Sequence, residues 1–264
     1  MRLSRRRSLS LLPALMAPLA GGGASAQPTG STSPLSLKLV VLDIGGTLIG
    51  DHGEVPDAML GAFARKGITV TPQEFSGWRG ASKRGMVKHF VEERGPKDGR
   101  AALEEAIYAD FTTTVSKAYQ NVQPIPGAEK VLQELAAMKL LLATTTGFDR
   151  PLTTQVLSHL GWQHYFVASI TSDDAVDGRP APYMLFRAME AAHVNDTAQV
   201  MAVGDTVLDL QAGNNGGMGA VVGVFSGAAT EGRLREEKSS AVLPSVAELP
   251  ALIKRGLPLS HCRS

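Results

Sequence analysis

From Leu37 onward the chain alternates between two hydrophobic patterns. Near-continuous aliphatic runs of strand length end on small, hydroxyl or acidic residues: LKLVVLD (37–43), LLLATTTG (140–147), FVASITSDD (166–174), QVMAVGD (199–205) and GAVVGVFSG (219–227). A strand buried on both faces of a parallel sheet reads this way. Between the runs lie segments with apolar residues at helical spacing: GAEKVLQELAAMK (127–139), LTTQVLSHLG (152–161), YMLFRAMEAAH (183–193) and SVAELPALIKRG (245–256). Strands that alternate with helices predict a doubly wound, mostly parallel α/β sheet with a Rossmann-like core.

One stretch interrupts the alternation. EVPDAMLGAFARKG, SKRGMVKHFVEERG and DGRAALEEAIYADFTTTVSKAYQ carry helical patterns and no convincing strand. They predict a helical cap over 52–123, inserted after the first strand, with 37–51 and 124–258 forming the core. An insertion there reaches the C-terminal edge of the sheet, where ligands of open α/β sheets bind, so it is expected to act as a lid.

The first 26 residues follow neither pattern. A basic start (Arg2, Arg5, Arg6, Arg7) precedes the apolar LSLLPALMAPLA and the small residues Ala24-Ser25-Ala26. That is the layout of a cleaved export signal, and its apolar segment is too short for the roughly twenty residues of a membrane-spanning helix. SRRRSL also resembles a twin-arginine signal. The expectation is an exported, periplasmic protein with no membrane attachment after cleavage near Ala26, and with residues 27–36 as a disordered, Pro- and Ser-rich lead-in. A formal net charge of +1 gives no reason to expect a nucleic-acid partner. The single cysteine, Cys262, excludes an intramolecular disulfide and lies too near the chain end to suggest a nucleophile.

Candidate chemistry collects at the ends of the expected strands. Asp43 closes the first; Thr144, Thr145, Thr146 and Gly147 close the second. Arg179 lies in GRPAP, and Asp205 and Asp209 lie in GDTVLD. Together they offer a carboxylate nucleophile, hydroxyls and amides for phosphate oxygens, a fixed cation, and an oxygen-rich set (Asp43, Asp205, Asp209) suited to Mg²⁺. Such a site suits phosphoryl transfer, where positioning and charge stabilisation do most of the work.

In order, D-x-x-G-T-L, T-T-G, R-P-x-P and G-D-x-x-x-D resemble the motifs of the haloacid dehalogenase superfamily with a helical cap. TTTGFDR (144–150), DAVDGRPAPYM (174–184) and VGDTVLDLQAGNNGGM (203–218) resemble its phosphonatase branch more closely. The resemblance implies that Asp43 attacks phosphorus and shares Mg²⁺ with Asp205, Asp209 and the carbonyl of Gly45. It implies that Thr144 and the amide of Thr145 hold the phosphoryl group while Arg179 neutralises charge. Gly80-Ala81-Ser82-Lys83 resembles the loop by which such caps enter the site. Lys83 there either contacts the substrate or condenses with its aldehyde. The histidine that phosphonoacetaldehyde hydrolases carry three positions later is Met86 here, so that proton-transfer group is absent unless His89 or His52 takes its place, which weakens the case for phosphonoacetaldehyde as the substrate.

In ordinary phosphatases of the superfamily a second aspartate stands at the position of Gly45. Its acid–base work, typically worth about 10² to 10⁴ in rate, is missing. A C–P bond split through an imine leaves an enamine and needs no acid at that point. The reading is a phosphonatase-like hydrolase of a small phosphonate or phosphate. The alternatives are a phosphatase of phosphoglycolate phosphatase type and a non-catalytic phosphate-binding protein. A dehalogenase is disfavoured, since dehalogenases lack this motif set.

Overall fold

The computed structural model describes residues 36–256. The export signal, most of the lead-in and Cys262 lie outside them. Five strands fall within the expected runs: β1 (Leu39–Asp43), β2 (Leu141–Thr146), β3 (Ala168–Thr171), β4 (Val200–Gly204) and β5 (Ala220–Val224). A sixth, β6 (Ala241–Leu243), was not expected; three residues are too few for a periodicity to register. All pairings are parallel and the order is β3-β2-β1-β4-β5-β6. The sheet is the doubly wound one the alternation predicts.

Val40, Leu42 and Leu142 face one core, shared with α5 (Ala128–Ala137), α6 (Arg150–Leu160) and α10 (Leu249–Arg255). Leu39, Val41 and Ala143 face the other, against α7 (Tyr183–Ala191) and α8 (Val207–Asn215). Two helices of the core escaped the pattern because they carry no usable stripe. In α8, Thr206 and Asp209 cap each other reciprocally; α9 (Glu231–Arg235) is only five residues long. Side-chain capping of this kind satisfies amide donors that a helix start leaves unpaired.

Helices α1 (Glu54–Arg65), α2 (Pro72–Ser76), α3 (Lys83–Arg94) and α4 (Arg100–Ala118) lie between β1 and β2. Their apolar faces, among them Met59, Phe63, Met86, Phe90, Ile107 and Phe111, are continuous with the core on one side of the sheet. Phe63 and Phe90 meet edge to face at 5.6 Å. The two connections to the sheet run side by side. The Gly50 amide donates to the Gln123 carbonyl at 3.2 Å, and the Ile125 amide to Leu48 at 2.9 Å. Among the described residues no helix is long and apolar enough to cross a membrane.

Candidate active site

The strand order reverses direction between β1 and β4, which places the ends of those strands at the switch point where open α/β sheets bind ligands. Asp43 ends β1 and Asp205 follows β4, and both are buried. The Asp205 carboxylate accepts from the Ala228 amide at 2.6 Å. Asp209, on the first turn of α8, brings a third carboxylate, and one oxygen from each of the three lies within 4.8 Å of the others.

Arg179 ties this set together. It lies on the loop before α7, with its guanidinium fully inside the protein. It donates to Asp43 Oδ1 at 2.7 Å, to Thr145 Oγ1 at 2.9 Å and to the Gly80 carbonyl at 3.3 Å, and its Nε lies 2.9 Å from Asp209 Oδ1. One cation thus holds two carboxylates, a strand hydroxyl and the backbone of the inserted segment. A planar guanidinium has the donor fork for that task, where an ammonium is a point charge.

Charge remains unbalanced. Burial pushes the Asp43 carboxyl up to about 7, with Arg179 opposing and Asp209 adding to the rise. Burial likewise lifts Asp205 well above the usual carboxylate range, helped by the charges of Asp43 and Asp209. Oxygen-only donors with surplus negative charge fit a small hard dication such as Mg²⁺. The fit differs among the three. Asp209 gives one oxygen to Arg179 and the other to the Thr206 amide (3.0 Å) and hydroxyl (2.6 Å). Its carboxylate is therefore committed to orienting Arg179 and starting α8. Asp43, Asp205 and the backbone at Gly45 and Gly46 line the open cavity.

The inserted segment closes over this cavity. A Cβ on Gly80 would stand 2.4 Å from Thr206 Oγ1, and one on Gly147 would stand 2.6 Å from the Ala81 carbonyl. Gly80 also has φ +82°, which side chains disfavour. These two glycines let residues 79–83 wedge against the sheet edge. Lys83 is delivered that way to the Asp43 cavity, only 6% exposed, with its ammonium 3.1 Å from the Ala81 carbonyl. Burial pulls it down to about 8, opposed by Asp43 and assisted by Arg179. Its place on the first turn of α3 also sets it at the positive end of a helix, which disfavours a cation.

Two expectations need correction. Thr144 pairs with Leu42 in the sheet, on the face away from Asp43, and does not reach the cavity. Its neighbour Thr145 sits opposite Asp43 and is held by Arg179. Thr146 and Gly147, beyond that rung, line the cavity instead. The Thr144 hydroxyl is buried with no hydrogen-bond partner among the described residues. Thr144→Val is therefore expected to leave turnover within about twofold and to hold or raise stability, since a buried unpaired hydroxyl costs roughly 1–3 kcal/mol. Thr146→Val is expected to lose about tenfold or more, as removal of one donor at a phosphoryl site does. Steady-state kinetics and thermal unfolding of both variants check the assignment.

Neither histidine replaces the one missing at Met86. His89 stacks on Trp78 at 4.9 Å and faces Glu93 on the outside of α3; His52 is exposed. Met86 is packed in the apolar core of the insertion. Among the cavity residues that sequence reasoning missed are Arg79, Asp51 and Tyr119. Tyr119 is 2% exposed, its hydroxyl has no partner among the described residues, and burial beside Asp51 and Glu54 raises its phenol. At Gly45 the Phe148 ring edge lies 3.6 Å from where a Cβ would be. That is an ordinary van der Waals distance, so a side chain at this position would pack against the Phe148 ring.

The chain is similar to known proteins. The profile of the haloacid dehalogenase-like hydrolases matches residues 37–217. Phosphonoacetaldehyde hydrolase of Bacteroides fragilis is 28% identical over 255 residues, covering 83% of this chain and 96% of that one. The phosphonoacetaldehyde hydrolase of Lysinibacillus sphaericus is 30% identical over 219 residues, covering 77% and 80%. The crystal structure of a phosphonoacetaldehyde hydrolase-like protein from Oleispira antarctica superposes with a TM-score of 0.73 at 21% identity, covering 83% of this chain and 92% of that one. The chain belongs to the haloacid dehalogenase-like hydrolases. Within that family its resemblance is to the phosphonatase-like branch, and it is an enzyme, a hydrolase.

Proposed function

We propose that this hydrolase releases phosphate from a small phosphonate through an aspartyl-phosphate on Asp43. The observation that carries the reading is the pairing of a buried Lys83, drawn down to about 8, with Asp43, whose second carboxylate is replaced by Gly45. The neutral amine adds to a carbonyl two atoms from phosphorus and loses water, giving an imine. Asp43 attacks phosphorus, and the C–P bond breaks with its electron pair passing into the enamine. A proton then goes to carbon, and water hydrolyses both the imine and the acyl phosphate. The sum is phosphonate plus water giving a carbonyl compound plus phosphate.

Arg179 would neutralise Asp43 and the phosphoryl group, with Thr146 and the amide of Gly147 holding its oxygens. Mg²⁺, held by Asp43, Asp205 and the Gly45 carbonyl, would supply further neutralisation of phosphoryl charge. Asp209 would act on it through Arg179 and through water. The phosphatase reading keeps one specific support: Met86 removes the proton-transfer histidine, which leaves Lys83 free to serve as a simple substrate contact.

The experiment offers phosphonoacetaldehyde, phosphoglycolate and p-nitrophenyl phosphate to the mature protein with Mg²⁺ or with a chelator. Expected are Mg²⁺-dependent release from phosphonoacetaldehyde and a borohydride-trapped adduct on Lys83. Release from phosphoglycolate alone, with no adduct, would replace the phosphonatase reading by the phosphatase one. Phosphate binding with no turnover of any compound would indicate a binding protein.

A further inference from the structure

Arg79 stands four residues before Lys83 on the loop between α2 and α3 and lines the Asp43 cavity beside it. It also lines an adjoining groove of about 460 Å³, walled by Ser76, Val207, Leu208 and Thr230. Among the described residues no carboxylate lies within ion-pair distance of Arg79. The neighbouring arginines differ: Arg179 is held by Asp43 and Asp209, and Arg84 by Glu105 at 2.9 Å. The Arg79 guanidinium lies 5.8 Å from the centre of the Phe75 ring, a contact that steadies it without neutralising it. Phe75, Val55 and Phe148 add apolar side chains to the cavity lining.

Three cations, Arg79, Lys83 and Arg179, therefore line the cavity with the carboxylates Asp43, Asp51 and Asp205. Arg179 is already engaged with Asp43 and Asp209. Arg79 has no carboxylate, Asp51 included, within ion-pair distance among the described residues. A part-buried cation facing a ligand cavity without a protein counter-ion is suited to a charge that the ligand brings, and a guanidinium best matches a carboxylate, which it grips with two parallel hydrogen bonds.

We infer that Arg79 is the specificity-determining residue of this site and takes a carboxylate on the carbon end of the substrate. Resting on the phosphonatase reading above, the substrate class becomes the phosphono-2-oxo acids, of which 3-phosphonopyruvate is the smallest. Its ketone suits Lys83 and its carboxylate suits Arg79. The bonds made and broken are those already given, and the products are a 2-oxo acid and phosphate.

The carboxylate preference can be tested without turnover. Calorimetry with Mg²⁺ would compare 3-phosphonopropionate with ethylphosphonate, which share the phosphonate and differ in the carboxylate. The wild type is expected to bind 3-phosphonopropionate at least tenfold more tightly. In Arg79→Met the preference should fall to within about twofold, with ethylphosphonate affinity unchanged and circular dichroism confirming the fold; Arg79→Lys should retain part of it. Equal affinity of the wild type for both probes, or an equal loss for both in Arg79→Met, would overturn the assignment. Kinetics separate it from the reading it rests on. If 3-phosphonopyruvate and phosphonoacetaldehyde both release no phosphate while the binding preference holds, the phosphonatase reading fails and the Arg79 carboxylate site stands. If both turn over, Arg79→Met should raise KM for 3-phosphonopyruvate at least about tenfold more than it raises KM for phosphonoacetaldehyde.

Discussion

Asp43→Asn is expected to reduce phosphate release by at least about 10⁴-fold for every substrate the enzyme accepts, as loss of a covalent nucleophile does. The loss should appear in kcat, and the protein should stay folded. Burial holds the Asp43 carboxyl up near 7, against its ordinary value of 3.8. In metal-free protein the ionised form is thus a cost to the fold. The stability linked to this group is fully present below about pH 4 and is lost as pH rises through about 7. Asparagine removes that dependence, so the metal-free variant should be the more stable protein above pH 7, and its advantage should shrink as the solution is acidified. Thermal unfolding across that range, beside a phosphate-release assay, measures both effects. Residual turnover within tenfold of wild type would remove Asp43 from the nucleophile's role.

Lys83→Arg carries the second large effect. An arginine keeps the charge but cannot form an imine at neutral pH, so cleavage of a carbonyl phosphonate should fall by about 10³-fold or more. Hydrolysis of p-nitrophenyl phosphate, whose leaving group needs neither amine nor acid, should stay within about tenfold. The wild-type pH profile should separate the two reactions. With the Lys83 ammonium drawn down to about 8, the neutral fraction grows as pH rises toward that value. C–P cleavage should therefore drop by about tenfold for each unit below 8, and level off above it. A profile for C–P cleavage that is flat from pH 6 to 9 would exclude the imine route.

Asp43 and Asp205 were legible because they sit at strand ends, where a buried aliphatic run stops on a polar residue. Arg179, on the loop before α7, and Asp209, on the first turn of α8, meet them there as the short motifs around them suggested. The threonines were harder. Thr144 and Thr146 share one side of β2 by its two-residue period, and TTTG offers three equivalent hydroxyls. Only the register, with Thr145 opposite Asp43, decides that Thr144 stays inside the sheet and Thr146 emerges at its edge. Arg79, Asp51 and Tyr119 were illegible for a different reason. Tyr119 reads as one more buried position at the end of a helical stripe. Its place in the cavity follows from how the insertion docks on the sheet, which no local pattern encodes. The same docking turned Met86 inward and His89 outward.

The paired connections at Leu48–Gly50 and Gln123–Ile125 bear on how such an enzyme diversifies. The chain departs from the sheet and returns to it across neighbouring hydrogen bonds, so everything from Asp51 to Val122 is a loop whose ends are already joined. Lengthening or replacing a loop of that kind costs little in closure entropy and leaves the strand register untouched. Arg79 and Lys83 belong to the exchangeable stretch; Asp43, Arg179 and Asp205 do not. On the proposed reading, the residues that handle the phosphoryl group belong to the sheet while those that meet the carbon end of the substrate belong to the insertion, so substitution in the insertion would change which carbon skeleton is accepted and leave the phosphoryl-handling residues in place.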